Sequence, residues 1–177
     1  MLKRFYPNAY VSSFRNIGPA FFLERGINGI ILDLDNTIIP WQASVLEPDM
    51  VELLGQFKEA GLKLCVVSNA LNRRVAGLLE PLGIAGVARA AKPRRRSFFK
   101  ALEILGTVPE ETAVVGDQLF TDILGGNRLG LYTVLVKPVS KKEFVGTRFV
   151  RLVEKVLLYR LAKEGLVDAG GHHDQQH

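Results

Sequence analysis

The chain of 177 residues is long enough for one domain with a buried core, and 47% hydrophobic and 23% charged residues are typical of globular rather than disordered proteins. A single cysteine excludes an intrachain disulfide or a multi-cysteine metal cluster, and all three histidines fall within the last six residues, which argues against serine–histidine or zinc–histidine chemistry in the core. The net charge of +5 favours anionic partners, namely a phosphorylated substrate, an acidic lipid surface or RNA, without choosing among them.

The first 25 residues combine aromatic and basic side chains. Six of the fifteen aromatic residues of the chain lie here, namely Phe5, Tyr6, Tyr10, Phe14, Phe21 and Phe22. Packing of these rings against a sheet is the favoured interpretation, and contact with a membrane or a partner is the alternative. Polar residues interrupt the apolar ones, and no stretch of the chain reaches the roughly 18 apolar residues of a membrane span. We therefore expect no signal peptide and a cytoplasmic location.

From residue 28 onward, short apolar runs alternate with helical patterns. We expect strands at 29–33, 62–68, 84–89, 112–117 and 131–136, with the third the weakest. Helices are expected between them at 48–60, 71–80, 95–105 and 120–128. This alternation predicts an α/β fold, a Rossmann-like three-layer sandwich in which helices cover both faces of a parallel sheet.

Polar residues that could carry chemistry stand after the apolar runs at four places. They are Asp33, Asp35 and Thr37 after the first predicted strand, Ser68 and Asn69 after the second, Lys92 in a later loop, and Asp117 and Asp122 after the fourth. Open α/β sheets bind ligands at the carboxyl ends of their strands. Asp33 and Asp35 alone could merely cap a helix or close an Asx turn, but four sites in the same position relative to their strands indicate one active site.

These residue types match the needs of phosphoryl transfer, which are an in-line nucleophile, a divalent cation and donors for the remaining phosphate charge. A carboxylate can attack phosphorus to give an acyl phosphate, which water then hydrolyses, and carboxylate oxygens also suit Mg²⁺. Hydroxyl, amide and ammonium groups supply the donors. The set therefore favours magnesium-assisted phosphoryl transfer.

The order Asp33-x-Asp35-x-Thr37, Ser68, Lys92 and Asp117-x-x-x-x-Asp122 resembles the four motifs of the haloacid dehalogenase (HAD) superfamily. More narrowly, the stretches Gly-Ile-Ile-Leu-Asp-Leu-Asp-Asn-Thr-Ile-Ile-Pro-Trp, Val-Val-Ser-Asn-Ala and Gly-Asp-Gln-Leu-Phe-Thr-Asp-Ile-Leu-Gly-Gly-Asn are similar to those of the YqeG-like class IIIA phosphatases. The resemblance covers about residues 1–150. All catalytic positions of the motifs are present, which argues against a non-catalytic relative.

The resemblance implies a catalytic role for three side chains. Asp33 would attack phosphorus. Asp35 would protonate the leaving oxygen and then deprotonate the hydrolytic water. Lys92 would neutralise Asp33 and the phosphate.

The remaining motif residues would bind substrate and metal. Thr37, Ser68 and Asn69 would hold the phosphoryl group, while Mg²⁺ would be bound by Asp33, Asp117 and the backbone carbonyl of Asp35. Asp122 would orient a metal-bound water or Lys92 from outside the ligand set. Gly116 would let the strand end approach the ion closely.

The gaps between the motifs are too short for a cap domain. Thr37 and Ser68 are separated by 30 residues, and Ser68 and Lys92 by 23. In this superfamily an uncapped, HAD-like core implies an open site that accepts a macromolecular substrate or is completed by a partner. Three arginines at 94–96 either extend its anion-binding surface or form a solvated helix start.

Three hypotheses for the substrate or partner stay open. YqeG-like proteins are similar to phosphatidylglycerophosphate phosphatases, which implies a lipid headgroup and peripheral contact with an anionic membrane at its inner face. The second hypothesis is a soluble phosphometabolite, a phosphoprotein or a nucleic-acid end. The third is a basic module that binds RNA or a ribonucleoprotein without turnover, although the chain lacks an aromatic–basic RNA-recognition signature. No Walker or dinucleotide-binding loop is present, so ATP and NAD are not supported.

We predict three parts of the chain. Residues 1–27 form an N-terminal extension that packs on the core, 28–163 form the HAD-like phosphatase domain, and 164–177 form a flexible tail. The second part includes a basic amphipathic helix at 143–161.

Overall fold

The computed structural model describes residues 2–140, which build a six-stranded sheet in which all strand pairs are parallel. Its strands are β1 (Ala9–Val11), β2 (Gly29–Leu32), β3 (Lys63–Val67), β4 (Ala85–Val87), β5 (Thr112–Gly116) and β6 (Tyr132–Val136), in the order β1-β6-β5-β2-β3-β4. Strands β2 to β6 confirm the five predicted ones. The strand β1 was not predicted.

The two faces of the sheet bury separate hydrophobic clusters because neighbouring side chains of a strand point to opposite faces. Ile30 and Leu32 of β2 belong to the larger cluster. Ile31, which lies between them, belongs to the second cluster together with Cys65 and Val114 of the two neighbouring strands. Burial on both faces explains the nearly continuous apolar runs that predicted these strands.

Helices cover both faces, as the Rossmann-like class predicts. They are α1 (Pro19–Leu23), α2 (Pro48–Glu59), α3 (Asn72–Leu79), α4 (Arg95–Leu105) and α5 (Leu124–Asn127), with short 3₁₀ turns at Leu2–Phe5, Phe14–Asn16, Glu80–Leu82 and Pro109–Glu111. Buried residues of α2 and α3, such as Phe57 and Val75, join the larger cluster. Phe98 and Leu105 of α4 join the second. The three-layer prediction is therefore confirmed.

The helix predicted at 120–128 begins with a π-helical turn, Leu119–Ile123, before α5. The amides of Asp122 and Ile123 both donate to the carbonyl of Gln118, at 3.0 and 3.3 Å. The Asp122 carboxylate also accepts a hydrogen bond from the backbone N–H of Gln118. The wider turn therefore accompanies an aspartate that folds back toward the end of β5.

The N-terminal segment adds β1 to the edge of the sheet and packs its aromatic rings inside. Phe14 and Phe22 are fully buried, and Phe14 stacks on Phe57 with ring centroids 5.3 Å apart. The other four rings named above are half-buried, and Phe5 meets Phe120 edge-on. These rings are therefore placed to contact the protein rather than to form an exposed aromatic face.

A hydrogen-bond network that we call the Asn127 network, made of Asn127, Asn8 and Thr133, fastens this segment. The amide nitrogen of Asn127 donates to the carbonyls of Arg4 and Tyr6, both at 2.9 Å. Thr133 and Asn8 exchange backbone and side-chain hydrogen bonds of 2.8 to 3.2 Å. The network thus joins the N-terminal segment to α5 and β6.

The division into 1–27, 28–163 and 164–177 stays a prediction, because the last two parts extend beyond residue 140. The helix predicted at 143–161 likewise lies outside the described residues. Within residues 2–140, none of the helices has the length and apolar character needed to cross a bilayer.

Candidate active site

A cavity of about 510 Å³ opens where the carboxyl ends of β2 and β3 meet the loop before α4. Its walls include five of the eight predicted site residues, which are Asp33, Asp35, Ser68, Asn69 and Lys92. Residues 38–67 and 69–91 are fully described and hold only loops, α2, α3, β3, β4 and one 3₁₀ turn. The predicted absence of a cap domain in these two gaps is therefore confirmed.

Asp33 lies one residue beyond β2 and is held by the sheet itself. Its backbone N–H donates to the carbonyl of Val115 at 2.9 Å, which continues the pairing of β2 with β5. Its carboxylate oxygen Oδ1 accepts a hydrogen bond from Lys92 Nζ at 2.5 Å. The predicted nucleophile is thus buried, rigidly placed and charge-paired.

Lys92 bridges two buried carboxylates. Its ammonium lies 2.5 Å from Asp33 and 2.6 Å from Asp122, and the side chain of Lys92 is only 4% exposed. Its backbone N–H donates to Asn69 Oδ1 at 2.9 Å, which couples the lysine loop to the loop after β3. Burial lowers the pKa of Lys92, but the charges of Asp122 and Asp33 raise it more, so the net shift is upward and the ammonium stays protonated.

Burial raises the pKa of Asp33 to about 6, because its charged form is removed from water. The nearby charge of Asp122 acts in the same direction, while Lys92 opposes both by its charge and its hydrogen bond. The site therefore concentrates negative charge next to Asp33 and counters it with a single lysine. Such crowding of carboxylates is costly for folding and is typical of functional sites.

Asp117 and Asp122 complete the acidic cluster. Oxygen atoms of Asp33, Asp117 and Asp122 lie within 4.8 Å of one another, and all three residues are buried. Gly116 makes room for the Asp122 side chain, because a Cβ atom at position 116 would overlap that carboxylate. The prediction that Gly116 serves close approach of an ion therefore missed this direct contact.

Asp35 also lines the cavity, where it pairs with Arg74, a residue that the sequence motifs did not single out. Arg74 Nη1 donates to Asp35 Oδ2 at 2.8 Å, and Nη2 donates to the carbonyl of Ala43 at 3.0 Å. The second carboxylate oxygen of Asp35 accepts a long hydrogen bond, 3.4 Å, from the N–H of Gln42. Asp35 thus has its own cationic partner, Arg74, whereas Asp33 is paired with Lys92.

The predicted substrate-binding residues fall into two groups. Ser68 and Asn69 line the cavity, and Ser68 Oγ accepts the backbone N–H of Ala70 at 3.1 Å. Thr37 does not line the cavity, and its buried hydroxyl has no hydrogen-bond partner among the described residues. Roles for these three in phosphate binding stay predictions.

The structure also places the arginines at 94–96 and two residues of the last motif stretch, Gln118 and Asn127, for which no role is predicted. The arginines at 94–96 are exposed, and none of them belongs to the cavity wall. Gln118 does line the cavity and donates its backbone N–H to Asp122. Asn127, which also matched the motif pattern, belongs instead to the network that fastens the N-terminal segment.

Comparison with known proteins gives the class of this chain. The haloacid dehalogenase-like hydrolase family matches residues 41–130, just over half of the chain, a range that includes Ser68, Lys92, Asp117 and Asp122. The chain is also 42% identical over 166 residues to the probable phosphatase YqeG of Bacillus subtilis, a match that covers 93% of this chain and 96% of that protein. The chain therefore belongs to the haloacid dehalogenase-like hydrolase family. Within the family it is a YqeG-like phosphatase.

More distant relatives differ in the substrates that their names state. Phosphatidylglycerophosphate phosphatase 1 of Arabidopsis thaliana is 29% identical over 171 residues, which cover 90% of this chain and 49% of that protein. Glyceraldehyde 3-phosphate phosphatase of Methanopyrus kandleri is 35% identical over 99 residues, which cover 51% of this chain and 42% of that protein. The chain thus spans about half the length of each of these two relatives.

Solved structures support the fold. A hypothetical protein from Xanthomonas campestris has a TM-score of 0.55 at 15% identity, covering 86% of this chain and 95% of its own. The cobalt-bound deoxy-D-mannose-octulosonate 8-phosphate phosphatase of Haemophilus influenzae has a TM-score of 0.52 at 14% identity, covering 82% and 95%. At these identities the likeness concerns the fold alone.

Proposed function

We propose that this phosphatase hydrolyses a phosphomonoester with the help of Mg²⁺ and through a phospho-Asp33 intermediate. The observation that carries the proposal is the placement of Asp33 in the cavity wall, next to Lys92 and within a buried group of three carboxylates. Such an arrangement supplies a fixed nucleophile and positive charge at one point of an otherwise open cavity.

The reaction proceeds in two displacements. In the first, an Asp33 oxygen forms a bond to phosphorus as the ester P–O bond breaks, and Asp35 gives its proton to the leaving oxygen. In the second, Asp35 takes a proton from water as the water oxygen bonds to phosphorus and the bond from phosphorus to Asp33 breaks. Both aspartates return to their starting states, and Lys92 stays protonated beside the charge that moves.

The carboxylates present fit a magnesium ion. Oxygen donors are the ligands that Mg²⁺ prefers, and we assign Asp33, Asp117 and the backbone carbonyl of Asp35 to it. Both oxygens of Asp122 already accept hydrogen bonds, from Lys92 and from Gln118, so we assign Asp122 to holding Lys92. The bound ion would neutralise phosphate oxygens during transfer.

Three polar residues are assigned to the phosphoryl group. Ser68 and Asn69 are in the cavity wall next to Lys92. For Thr37, a buried hydroxyl without a partner is costly unless a ligand or water completes it. This cost supports a role for the Thr37 hydroxyl in binding the phosphoryl group.

For the substrate we propose phosphatidylglycerophosphate, at the cytoplasmic face of an anionic membrane. The relative named for this substrate aligns with 90% of the chain, whereas the relative named for glyceraldehyde 3-phosphate aligns with 51%. An uncapped cavity suits a headgroup that stays attached to a bilayer, and the net charge of +5 favours an anionic surface. A soluble phosphoester is the second candidate, supported by the partial match to the archaeal enzyme.

The chemistry is tested by phosphate release from phosphatidylglycerophosphate in mixed micelles and from a panel of soluble phosphoesters. We expect wild type to hydrolyse the lipid with Mg²⁺ and lose activity with EDTA, and Asp33→Asn to be inactive. Borohydride reduction of the phosphorylated enzyme should yield homoserine at position 33. Turnover of soluble esters alone would favour a soluble phosphoester as the substrate. An active Asp33→Asn variant would refute the mechanism.

The metal assignment has a readout apart from activity. Mg²⁺ should raise the melting temperature of wild type, because an ion that binds only the folded state stabilises it by about 3 kcal/mol at 100 times its Kd. The shift should disappear in Asp117→Asn and persist in Glu110→Gln, which removes an exposed carboxylate. An unchanged shift in Asp117→Asn would contradict the assignment.

A further inference from the structure

Arg74 connects three segments that are separate in sequence, namely α3, the segment after β2 that holds Asp35, and the loop that holds Ala43. It belongs to the first turn of α3, and its two terminal nitrogens reach the Asp35 carboxylate at 2.8 Å and the Ala43 carbonyl at 3.0 Å. A planar guanidinium fixes both directions at once. The side chains of Arg74 and Asp35 are each 24% exposed, so the ion pair is partly shielded from water and stronger than one on the open surface.

The contact distinguishes the two oxygens of Asp35. Oδ2 is held by the charged hydrogen bond from Arg74, whereas Oδ1 has only the long 3.4 Å contact from the Gln42 N–H. A charge-assisted bond at 2.8 Å is much the stronger of the two. The carboxyl group is therefore held at one oxygen and left available at the other.

We propose that Arg74 is a positioning residue that fixes the Asp35 carboxyl group so that Oδ1 exchanges the proton with the leaving oxygen and with water. This inference rests on the proposed function, since it needs Asp35 as the proton donor. The second contact, from Nη2 to the Ala43 carbonyl, holds the guanidinium in place while Nη1 binds Asp35. Ala43 follows Gln42, whose N–H contacts the other oxygen of Asp35, so one loop meets both members of the ion pair. General acid catalysis depends on such placement within hydrogen-bond reach.

The neighbouring arginine provides a matched control. Arg73 is exposed on the same helix turn and is absent from the wall of the active-site cavity, and within residues 2–140 the structure shows no ion pair for its side chain. Arg73→Gln removes the same charge from the same helix without touching Asp35. A difference between the two variants therefore reports the contact and not the net charge.

The leaving group separates positioning from other roles. An alkoxide leaving group, as in phosphatidylglycerophosphate, needs a proton as the P–O bond breaks, whereas p-nitrophenolate leaves readily without one. A residue that acts through Asp35 should therefore matter for the release of an alkyl alcohol and little for the release of p-nitrophenolate. The later hydrolysis of phospho-Asp33 also uses Asp35 and is common to both substrates, so the first displacement is the step to compare. A residue that binds phosphate or supports the fold should matter equally for both.

The experiment measures leaving-group release in the first turnover, as a rate at saturating substrate and a half-saturating substrate concentration, for wild type, Arg74→Gln, Arg74→Lys, Arg73→Gln, Asp35→Asn and the double variant Asp35→Asn/Arg74→Gln. The substrates are phosphatidylglycerophosphate, or the best soluble alkyl ester if the lipid is not turned over, and p-nitrophenyl phosphate. For Arg74→Gln we expect the first-turnover rate to fall about 10- to 100-fold on the alkyl ester and less than about 3-fold on p-nitrophenyl phosphate, at an unchanged half-saturating concentration. Arg73→Gln should match wild type, and the double variant should match Asp35→Asn alone.

Three outcomes would overturn the inference. They are an equal loss of the first-turnover rate on both substrates, a rise in the half-saturating concentration without a fall in that rate, and losses from positions 35 and 74 that multiply in the double variant. If Arg74→Gln does not fold, Arg74→Lys decides, because one ammonium cannot keep both contacts. A loss selective for the alkyl ester then supports positioning, and wild-type rates refute it. An inactive wild type or an active Asp33→Asn would instead refute the proposed function.

Discussion

Two clusters of polar residues lie in this sheet, and they are built in opposite ways. The Asn127 network contains only neutral side chains. The amide nitrogen and oxygen of Asn127 and the hydroxyl of Thr133 all have hydrogen-bond partners. The catalytic cluster, which we define as Asp33, Lys92, Asp117 and Asp122, gathers three buried carboxylates around one ammonium. The first arrangement favours stability, and the second favours chemistry.

The difference shows that the unfavourable burial of charge is concentrated in the catalytic cluster. Neutral groups that pair with each other lose little when they are buried, whereas burial raises the pKa of Asp33 to about 6 because its charge is poorly solvated. Active sites commonly store such cost, and the surrounding sheet offsets it. Substitutions in the two clusters should therefore separate activity from stability.

Asp33→Asn should show the largest effect on activity with the fold retained. Loss of a nucleophile lowers kcat by about 10⁴- to 10⁶-fold in enzymes of covalent mechanism. Its melting temperature without Mg²⁺ should equal or exceed that of wild type, because one of three crowded carboxylates becomes neutral. Phosphate release measures the expected loss of kcat, and thermal denaturation measures the melting temperature. A large fall in melting temperature would mean that the charged group stabilises the fold, contrary to the comparison.

Lys92→Met should destroy activity and also destabilise the protein. Removing the ammonium leaves Asp33 and Asp122 buried without their counter-charge, and breaking a buried ion pair in this way costs about 3–5 kcal/mol. Urea denaturation at pH 8 measures the free energy of unfolding. Lys137→Met, at an exposed lysine, is the control and should change it little. Equal stability of the two variants would show that Lys92 does not compensate the carboxylates.

Asn127→Ala should give the converse result, a loss of stability with kcat preserved. The backbone carbonyls of Arg4 and Tyr6 lose their donor, which we expect to cost about 1–3 kcal/mol. Asn127 is not among the cavity-lining residues, so kcat should stay within about twofold of wild type. Arg128→Gln, at the exposed neighbouring position, is the control for both assays. A fall in kcat without loss of stability would place the network in the active site.

The sequence predicted the centre of the sheet and the catalytic cluster for one physical reason. Strands that are buried on both faces read as apolar runs, and in a parallel sheet their carboxyl ends share one edge. Asp33 and Ser68 could therefore be placed from where β2 and β3 end. Lys92 was grouped with them as a polar residue in a later loop, whereas its charge pairing with Asp33 came only from the motif resemblance.

Other features depend on geometry that no local pattern carries. The strand β1 has only three residues, Ala-Tyr-Val, and pairs with β6 alone, so its apolar stretch is too short to predict a strand. Arg74 and Arg73 are adjacent in sequence, and only the rotation of α3, about 100° per residue, decides which of them meets Asp35. Gly116 likewise acquires its role from the Asp122 side chain that folds back beside it.

The single cysteine provides the finest test of whether the two clusters are independent. Cys65 is fully buried in β3, which three strands separate from β1 in the sheet order. Burial raises the pKa of its thiol to about 12, whereas an unfolded cysteine ionises near about 8.5. At pH 8 the native thiol is therefore protonated as well as shielded, and a disulfide reagent should label it only after unfolding.

In Asn127→Ala, the rate at which the reagent labels Cys65 should differ from that of wild type by less than about threefold if the lost hydrogen bonds release the N-terminal segment alone. If that substitution instead lowers global stability, labelling should accelerate about tenfold for each 1.4 kcal/mol lost. Lys92→Met should accelerate labelling in either case, because the loss of its ammonium leaves Asp33 and Asp122 buried without their counter-charge and so lowers the free energy of unfolding. Slow labelling in Asn127→Ala beside fast labelling in Lys92→Met would show that the edge strand unfolds locally while the catalytic cluster is coupled to the core. Equal acceleration would show that one cooperative unit contains both.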